Sequence, residues 1–169
     1  MPGVDLLVDG FGRVRDIVHR VVDGLTPVEL ALRLDERANS ITWLVWHLTR
    51  IQDHHVADAA TTPQVWVVDG WYERFGLPFD QEATGWGQNP DEVSAALVDS
   101  GDLLLGYHDA VHDQTVSYLR GLSDSDFDRL VDTSWDPPVT LGVRLVSVLS
   151  DDLQHAGQAA LVRGLVQGG

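Results

Sequence analysis

The clearest structural signal in the chain lies in residues 41–60, ITWLVWHLTRIQDHHVADAA. Apolar side chains recur there every three or four residues, the spacing that gives a helix one apolar face. The stripe comprises Ile41, Leu44, Val45, Leu48, Ile51 and His55. Ser40 stands where a helix N-cap is favoured. His47 lies beside the stripe, so the segment predicts a long amphipathic helix with a histidine at the edge of its buried face.

Three further segments have the same periodicity. They predict a first helix over residues 4–23, a third over residues 90–120 and a fourth over residues 140–166. A short helical turn is expected after Thr26, which begins a capping box. Four long helices without a convincing strand are typical of a four-helix bundle. We therefore predict an all-α bundle that forms a single domain over residues 1–169.

The connection between the second and third predicted helices is long and rich in aromatic residues. Glycines and prolines punctuate residues 61–90 throughout. The aromatic residues between them are Trp66, Trp71, Tyr72, Phe75, Phe79 and Trp86. Connections of this length in a compact domain are usually functional or packed over the protein. We predict a long aromatic-rich loop, and we expect its residues 66–86 to form one wall of a pocket and to keep water out of it.

The composition excludes several classes of function. The chain has 26 acidic residues against 11 basic ones, all arginine, and a formal net charge of −15. Nucleic acids and anionic membranes are therefore not expected as partners, because binding to either begins with basic side chains. No signal peptide pattern and no apolar run of about 20 residues is present, so a cytoplasmic location is expected. The chain has no cysteine, so any thiol chemistry needs sulfur from another molecule.

A polar interruption in the fourth predicted helix, residues 151–158, DDLQHAGQ, suggests a metal site. Asp151 and His155 are four residues apart, which places their side chains on one helix face about 5–6 Å apart. Asp152, three residues from His155, fits the same role. Bundles build metal sites from such groups on facing helices, and His47 is the best candidate for a third ligand. The spacing does not decide which aspartate is the ligand. It is also compatible with a surface contact between the two side chains that binds no metal.

A second pair at the same spacing competes with this one. His108 and His112 are four residues apart on the third predicted helix, so by spacing alone they are an equally good metal face. His108 falls among apolar residues, which favours a hydrogen-bonded core histidine instead. His54 and His55 are interpreted as solvated residues near a helix end.

Two arginines are candidates for binding a substrate. Arg50 lies one turn after His47 and could hold a carboxylate through two parallel hydrogen bonds. An exposed ion pair with Asp53 or Asp58 is the alternative interpretation of Arg50. Arg144 lies near the start of the fourth predicted helix and is the second candidate.

The segments WLVWHLTR (43–50) and DDLQHAGQ (151–158) resemble the DinB-like superfamily. The resemblance is closest to the branch that includes mycothiol-dependent maleylpyruvate isomerase and related thiol transferases, and it covers essentially the whole chain. It implies a four-helix bundle that holds one divalent ion through His47, Asp151 and His155, and it implies a homodimer. Relatives carry histidine or glutamate at the position of Asp151, so this chain departs from them by a shorter carboxylate.

The resemblance also implies a function. Three protein ligands leave open positions on a Zn, Ni or Fe ion, which is typical of a catalytic site. A low-molecular-weight thiol such as mycothiol would act there on a small electrophile, because a bound metal lowers the pKa of a thiol. Residues that could support the ligands are Asp152, His108 and Gln158. The alternative is a non-catalytic metal-binding or dimerising bundle of the stress-response type.

Overall fold

Four long helices form the body of the protein. The computed structural model describes residues 2–168. Its long helices are α1 (Gly3–Val22), α3 (Ile41–Ala60), α7 (Gly101–Arg120) and α8 (Leu141–Gln167). Helices α1 and α3 lie diagonally opposite each other, and each packs against both α7 and α8. This is a four-helix bundle, and the predicted all-α fold class is confirmed.

Short elements connect the long helices. These are α2 (Pro27–Ala31), α4 (Val65–Val68), α5 (Trp71–Phe75), α6 (Pro90–Ser94), a 3-10 helix (Asp124–Asp128), β1 (Leu130–Asp132) and β2 (Val139–Thr140). The two strands pair antiparallel just before α8. No strand was predicted, because two or three residues are too few to show a period-two pattern. Within the described residues, no helix combines the length and the apolarity that a membrane crossing requires.

The third predicted helix begins later than the sequence pattern suggests. Asn89 forms a capping box with Glu92, but the helix that it caps, α6, ends after one turn. The long helix α7 begins only at Gly101, with Ser100 as its cap. Between the two helices Val98 is buried in the core. The prediction of one continuous helix from residue 90 is therefore wrong, because this segment leaves the helical path to fill the interior.

The aromatic connection between α3 and α7 packs into the bundle. Trp66, Trp71 and Phe75 are buried and contact the ring of Tyr107 on α7. The segment is not a featureless loop, since it contains the short helices α4 and α5. One aromatic residue behaves differently, because Trp86 is 87% exposed. The connection thus closes one side of the bundle and leaves a single indole on the surface.

Candidate metal and substrate site

Three of the predicted site residues meet between α3 and α8. His47 lies on α3, and Asp151 and His155 lie one turn apart on α8. Each offers one ligand atom, and these atoms all lie within 4.8 Å of one another. Among residues 2–168, this is the one group of three or more histidine, aspartate or glutamate side chains with such a geometry.

Hydrogen bonds fix the tautomers of the two histidines. His47 Nδ1 lies 2.5 Å from the carbonyl oxygen of Thr84, and His155 Nδ1 lies 2.9 Å from Oε1 of Gln158. A carbonyl oxygen only accepts, so both Nδ1 atoms carry the proton and donate. Each Nε2 then presents a lone pair, which is the arrangement that metal-binding histidines commonly have.

His47 is held in a dry, aromatic environment. Its ring stacks on Trp43 with a centroid distance of 4.5 Å, and the side chain is buried. Burial lowers the pKa of His47, and its hydrogen bond to Thr84 opposes that shift only in part. The imidazole is therefore neutral at physiological pH, the protonation state that binding a metal requires.

Asp151 completes the donor set. Its Oδ1 atom lies 3.6 Å from Nε2 of His155. Its Oδ2 atom is buried and has no hydrogen-bond partner among the described residues. A buried carboxylate oxygen without a donor is unusual in a folded protein and indicates a missing partner. Two imidazole nitrogens and one carboxylate oxygen suit Zn, Ni or Fe better than Mg or Ca.

Asp152 points elsewhere. It is fully buried in the bundle core, and neither of its carboxylate oxygens has a hydrogen-bond partner among the described residues. Burial and the neighbouring charge of Asp151 raise its pKa well above the ordinary value. Because Asp152 is absent from the group around His47 and His155, the geometry favours Asp151 of the two alternatives.

A cavity of about 210 Å³ adjoins the three residues. We call it the metal cavity, and it is lined by His47, Ile51, His55, Trp86, Arg144, Ser147, Val148 and Asp151. Arg144 is held at its wall by a 2.8 Å ion pair with Asp132 and by a 3.1 Å hydrogen bond to His55 Nδ1. Of the two predicted substrate-binding arginines, Arg144 is thus the one at the cavity.

His55 was missed as a site residue by the sequence analysis. It is not solvated at the helix end but partly buried, and burial with the nearby Arg144 lowers its pKa to about 4. Arg144 can only donate, so His55 Nδ1 accepts and its proton resides on Nε2. The signal was present in the sequence, because His55 continues the apolar stripe of residues 41–51.

Arg50 serves the fold rather than the cavity. It is fully buried and absent from the lining of the metal cavity. Its guanidinium donates to the carbonyl of Ala83, to Gln64 Oε1 and to Tyr107 Oη. The expected ion pair with Asp53 is present at 3.7 Å, but it is buried and not exposed. The structure therefore does not support a substrate-binding role for Arg50.

Asp53 extends the same anchor. Its two carboxylate oxygens accept the backbone N–H groups of Val65 and Trp66, and Oδ2 also accepts the Tyr107 hydroxyl. Together with Arg50 it ties the start and the end of the aromatic connection to α3. This connection delivers Thr84 to His47, so the anchor positions the tautomer-setting carbonyl.

The competing pair on α7 forms no comparable group. His108 is fully buried, and its Nδ1 lies 3.1 Å from the Thr49 hydroxyl. Burial lowers the pKa of His108 to about 3. The interpretation as a core histidine agrees with this contact. The contact does not agree with a supporting role near the metal ligands. The hydrogen-bond partner of His108 is Thr49, and not one of the three candidate ligands.

Comparison with known proteins gives a consistent result. A family model described as mycothiol-S-transferase matches residues 6–168. No curated protein matches the chain. A crystal structure of the conserved protein of a locus from Enterococcus faecalis is similar, with 30% sequence identity and a TM-score of 0.93. The similarity covers 100% of this chain and 99% of that one.

Proposed function

Because the chain belongs to the mycothiol-S-transferase family, with the DinB-like bundle that the sequence motifs indicate, we propose that it is a metal-dependent enzyme. It transfers a low-molecular-weight thiol of the mycothiol type to a small electrophile, or uses that thiol to isomerise one. The observation that carries this proposal is the group His47, Asp151 and His155 beside a cavity that Arg144 also lines. The cytoplasmic location expected from the sequence belongs to the same proposal.

The protein's own contribution at the metal is to hold and orient the ligands. His47 and His155 present Nε2 atoms whose direction is set by Thr84 and Gln158. Asp151 supplies the buried oxygen that otherwise has no partner. A bound Zn, Ni or Fe ion would lower the pKa of a thiol at this position, which supplies a nucleophile at neutral pH.

Arg144 and His55 are suited to bind the electrophile. Both line the metal cavity, and the tautomer of His55 places an N–H group on its second ring nitrogen. A carboxylate or carbonyl oxygen on the substrate can accept hydrogen bonds from such donors. Since the pKa of His55 is lowered to about 4, this group stays neutral across physiological pH and binds an oxygen without adding charge.

The test is an assay of thiol transfer across pH 6 to 9. Mycothiol and a generic electrophile are supplied to the wild-type protein, the metal-free protein and His155→Ala, with His112→Ala as the matched histidine control. We expect the wild-type and control rates to persist below the free thiol pKa near 8.5. The metal-free and His155→Ala proteins should match the uncatalysed rate. If all four match it, the enzyme proposal fails and the non-catalytic bundle becomes the better account.

We also propose the homodimer that the family resemblance implies, with the outer face of α8 as its contact. None of the exposed positions within Leu141–Gln167 is charged; they are Val143, Val146, Ser147, Ser150, Leu153, Gln154, Gly157, Gln158, Ala160, Leu161, Gly164, Leu165 and Gln167. On α1, by contrast, most exposed positions are charged: Asp5, Leu6, Asp9, Arg13, Asp16 and Arg20. Two chains that each carry a net charge of −15 repel least through an uncharged face.

Light scattering after gel filtration tests this contact. Leu161→Arg changes a side chain on α8 that is 61% exposed, and Leu6→Arg changes one on α1 that is 58% exposed. We expect the mass of a dimer for the wild-type protein and for Leu6→Arg, and that of a monomer for Leu161→Arg. A wild-type monomer, or a Leu161→Arg dimer of unchanged stability, contradicts the proposed contact.

A further inference from the structure

A second and larger cavity shares Trp86 with the metal cavity. Its volume is about 600 Å³, and its lining includes Phe79, Thr84, Trp86, Gln88 and Asp91. We call it the polar cavity. Trp86 lines both cavities. Thr84, whose carbonyl accepts from His47, connects the polar cavity to the metal ligands. The indole of Trp86 therefore borders both cavities, next to the candidate metal site.

The backbone around Trp86 is built to place the indole there. Gly85 and Gly87 have φ angles of +92° and +75°, a region that other residues rarely adopt. A Cβ atom on Gly85 would lie 2.7 Å from Nδ1 of His47. The chain is thus pressed against the candidate ligand, while the next side chain projects outward and remains 87% exposed. An exposed aromatic ring next to a cavity is a surface on which a ligand can stack.

The charge of the polar cavity limits what can enter it. Its lining contains the carboxylates of Asp80, Asp91 and Glu92, and none of the described residues that line it is basic. A ligand with carboxylates or phosphates would meet repulsion there with no cation to offset it. A ligand rich in hydroxyl groups would instead find acceptors, because carboxylate oxygens accept hydrogen bonds from O–H donors.

Gln88 supplies a complementary donor. Its Oε1 atom accepts the indole N–H of Trp43 at 2.7 Å. This bond orients the amide, so that its NH₂ group is left to donate to an oxygen atom in the cavity. Polar acceptors, an amide donor and an aromatic face together match a neutral polyol, which has O–H groups at its edge and C–H groups on its faces.

We propose that the polar cavity binds the uncharged polyol portion of the thiol cosubstrate, stacked on Trp86, and that it selects against thiols that carry carboxylates. This inference rests on the proposed function, which requires a thiol from another molecule. In this arrangement the sulfur reaches the candidate metal site past the indole, and the electrophile occupies the metal cavity, which the same ring also lines. Trp86 is then a binding residue for both substrates.

The test measures binding without catalysis. S-methyl mycothiol keeps the polyol but has no free thiol, and its affinity for metal-free protein is measured by calorimetry. Trp86→Ala is compared with Trp135→Ala, since Trp135 is 66% exposed and lines neither cavity. We expect binding to weaken about tenfold in Trp86→Ala, because the variant loses the indole face against which the C–H groups of the polyol pack. Trp135→Ala should bind like the wild-type protein, since Trp135 lines neither cavity.

Selectivity gives a second measurement. Asp91→Asn removes one carboxylate from the polar cavity. Among the described residues, Asp91 forms no ion pair that this change would break. We expect the ratio of glutathione affinity to S-methyl mycothiol affinity to rise several-fold in this variant. Equal binding of S-methyl mycothiol by wild type and Trp86→Ala, or an unchanged ratio in Asp91→Asn, overturns the inference. Both measurements work without turnover, so they separate this inference from the proposed function. If the protein transfers the thiol but Trp86→Ala binds S-methyl mycothiol as the wild type does, only the location of the polyol site is refuted. If the polyol binds but no transfer occurs, only the proposed reaction is refuted.

Discussion

Two pairs of side chains in this bundle have the same helical spacing and entirely different surroundings. Asp151 and His155 on α8 face His47 across the bundle, and the three ligand atoms lie within 4.8 Å of one another. His108 on α7, paired with His112, faces the hydroxyl of Thr49 instead. The spacing puts two potential ligands on one face in both cases. What the facing helix presents decides whether a metal site can exist.

The two pairs also differ in access. Asp151 borders the metal cavity, and an oxygen of its carboxylate lacks a hydrogen-bond partner among the described residues. His108 is fully enclosed, and burial lowers its pKa to about 3. A ligand can reach the first pair without opening the core. The imidazole of His108 therefore belongs to the interior, where it affects stability and not binding.

The largest expected effect separates the two pairs directly. His47→Ala or His155→Ala removes one of three ligands, and metal affinity should fall on the order of a thousandfold, beyond the 10–100-fold that outer-sphere changes cause. His108→Ala should leave affinity within about tenfold of wild type. Competition with a chromophoric chelator measures all three variants. A comparable loss in His108→Ala would show that the α7 pair takes part in the site.

A second comparison concerns the two adjacent aspartates. Asp151→Ala should weaken metal binding by about a hundredfold, because it removes the oxygen ligand. Asp152→Ala should change it little, since that carboxyl group lies in the core and outside the ligand group. The same chelator competition applies to both. The opposite result would assign the site to the three-residue spacing found in di-iron bundles.

The smallest effect is on stability as a function of pH. Because the pKa of His108 is lowered to about 3, the unfolded chain binds a proton below about pH 6.5 that the native protein does not. The stability that comes from keeping His108 neutral is therefore fully present above about pH 6.5. As the pH falls, the free energy of unfolding decreases, by about 2 kcal/mol at pH 5. The groups around His108 are His112 and Asp109 on α7 and Arg15 and His19 on α1.

Denaturant unfolding at pH 7 and pH 5 checks this expectation. His108→Gln should reduce the loss of stability between the two pH values, since the titrating group is gone. His112→Gln should reduce it less, because His112 is only partly buried. An identical pH dependence in the wild-type protein and in His108→Gln would mean that the buried imidazole does not contribute.

The sequence pattern identifies the four long helices, apart from the start of α7, and the family resemblance identifies the three side chains that the structure brings together. Periodicity identifies a helix whose exposed side is polar, which suits α1 and α7. For α3 it identifies the helix but not which polar side chains are buried, because the aromatic connection covers the side that would otherwise face solvent. Arg50 and Asp53 are buried there for that reason, and no local pattern distinguishes them from an exposed ion pair. The late start of α7 has a similar cause, since the burial of Val98 depends on the assembled core.

The metal content of the protein tests the central claim most directly. Protein purified without added metal is analysed for transition metals, and X-ray absorption then identifies the ligand atoms of the bound ion. We predict about one equivalent of Zn, Ni or Fe per chain, with two imidazole nitrogens and a carboxylate oxygen in its coordination sphere. Less than about a tenth of an equivalent, even after incubation with these ions at micromolar concentration, would contradict the account.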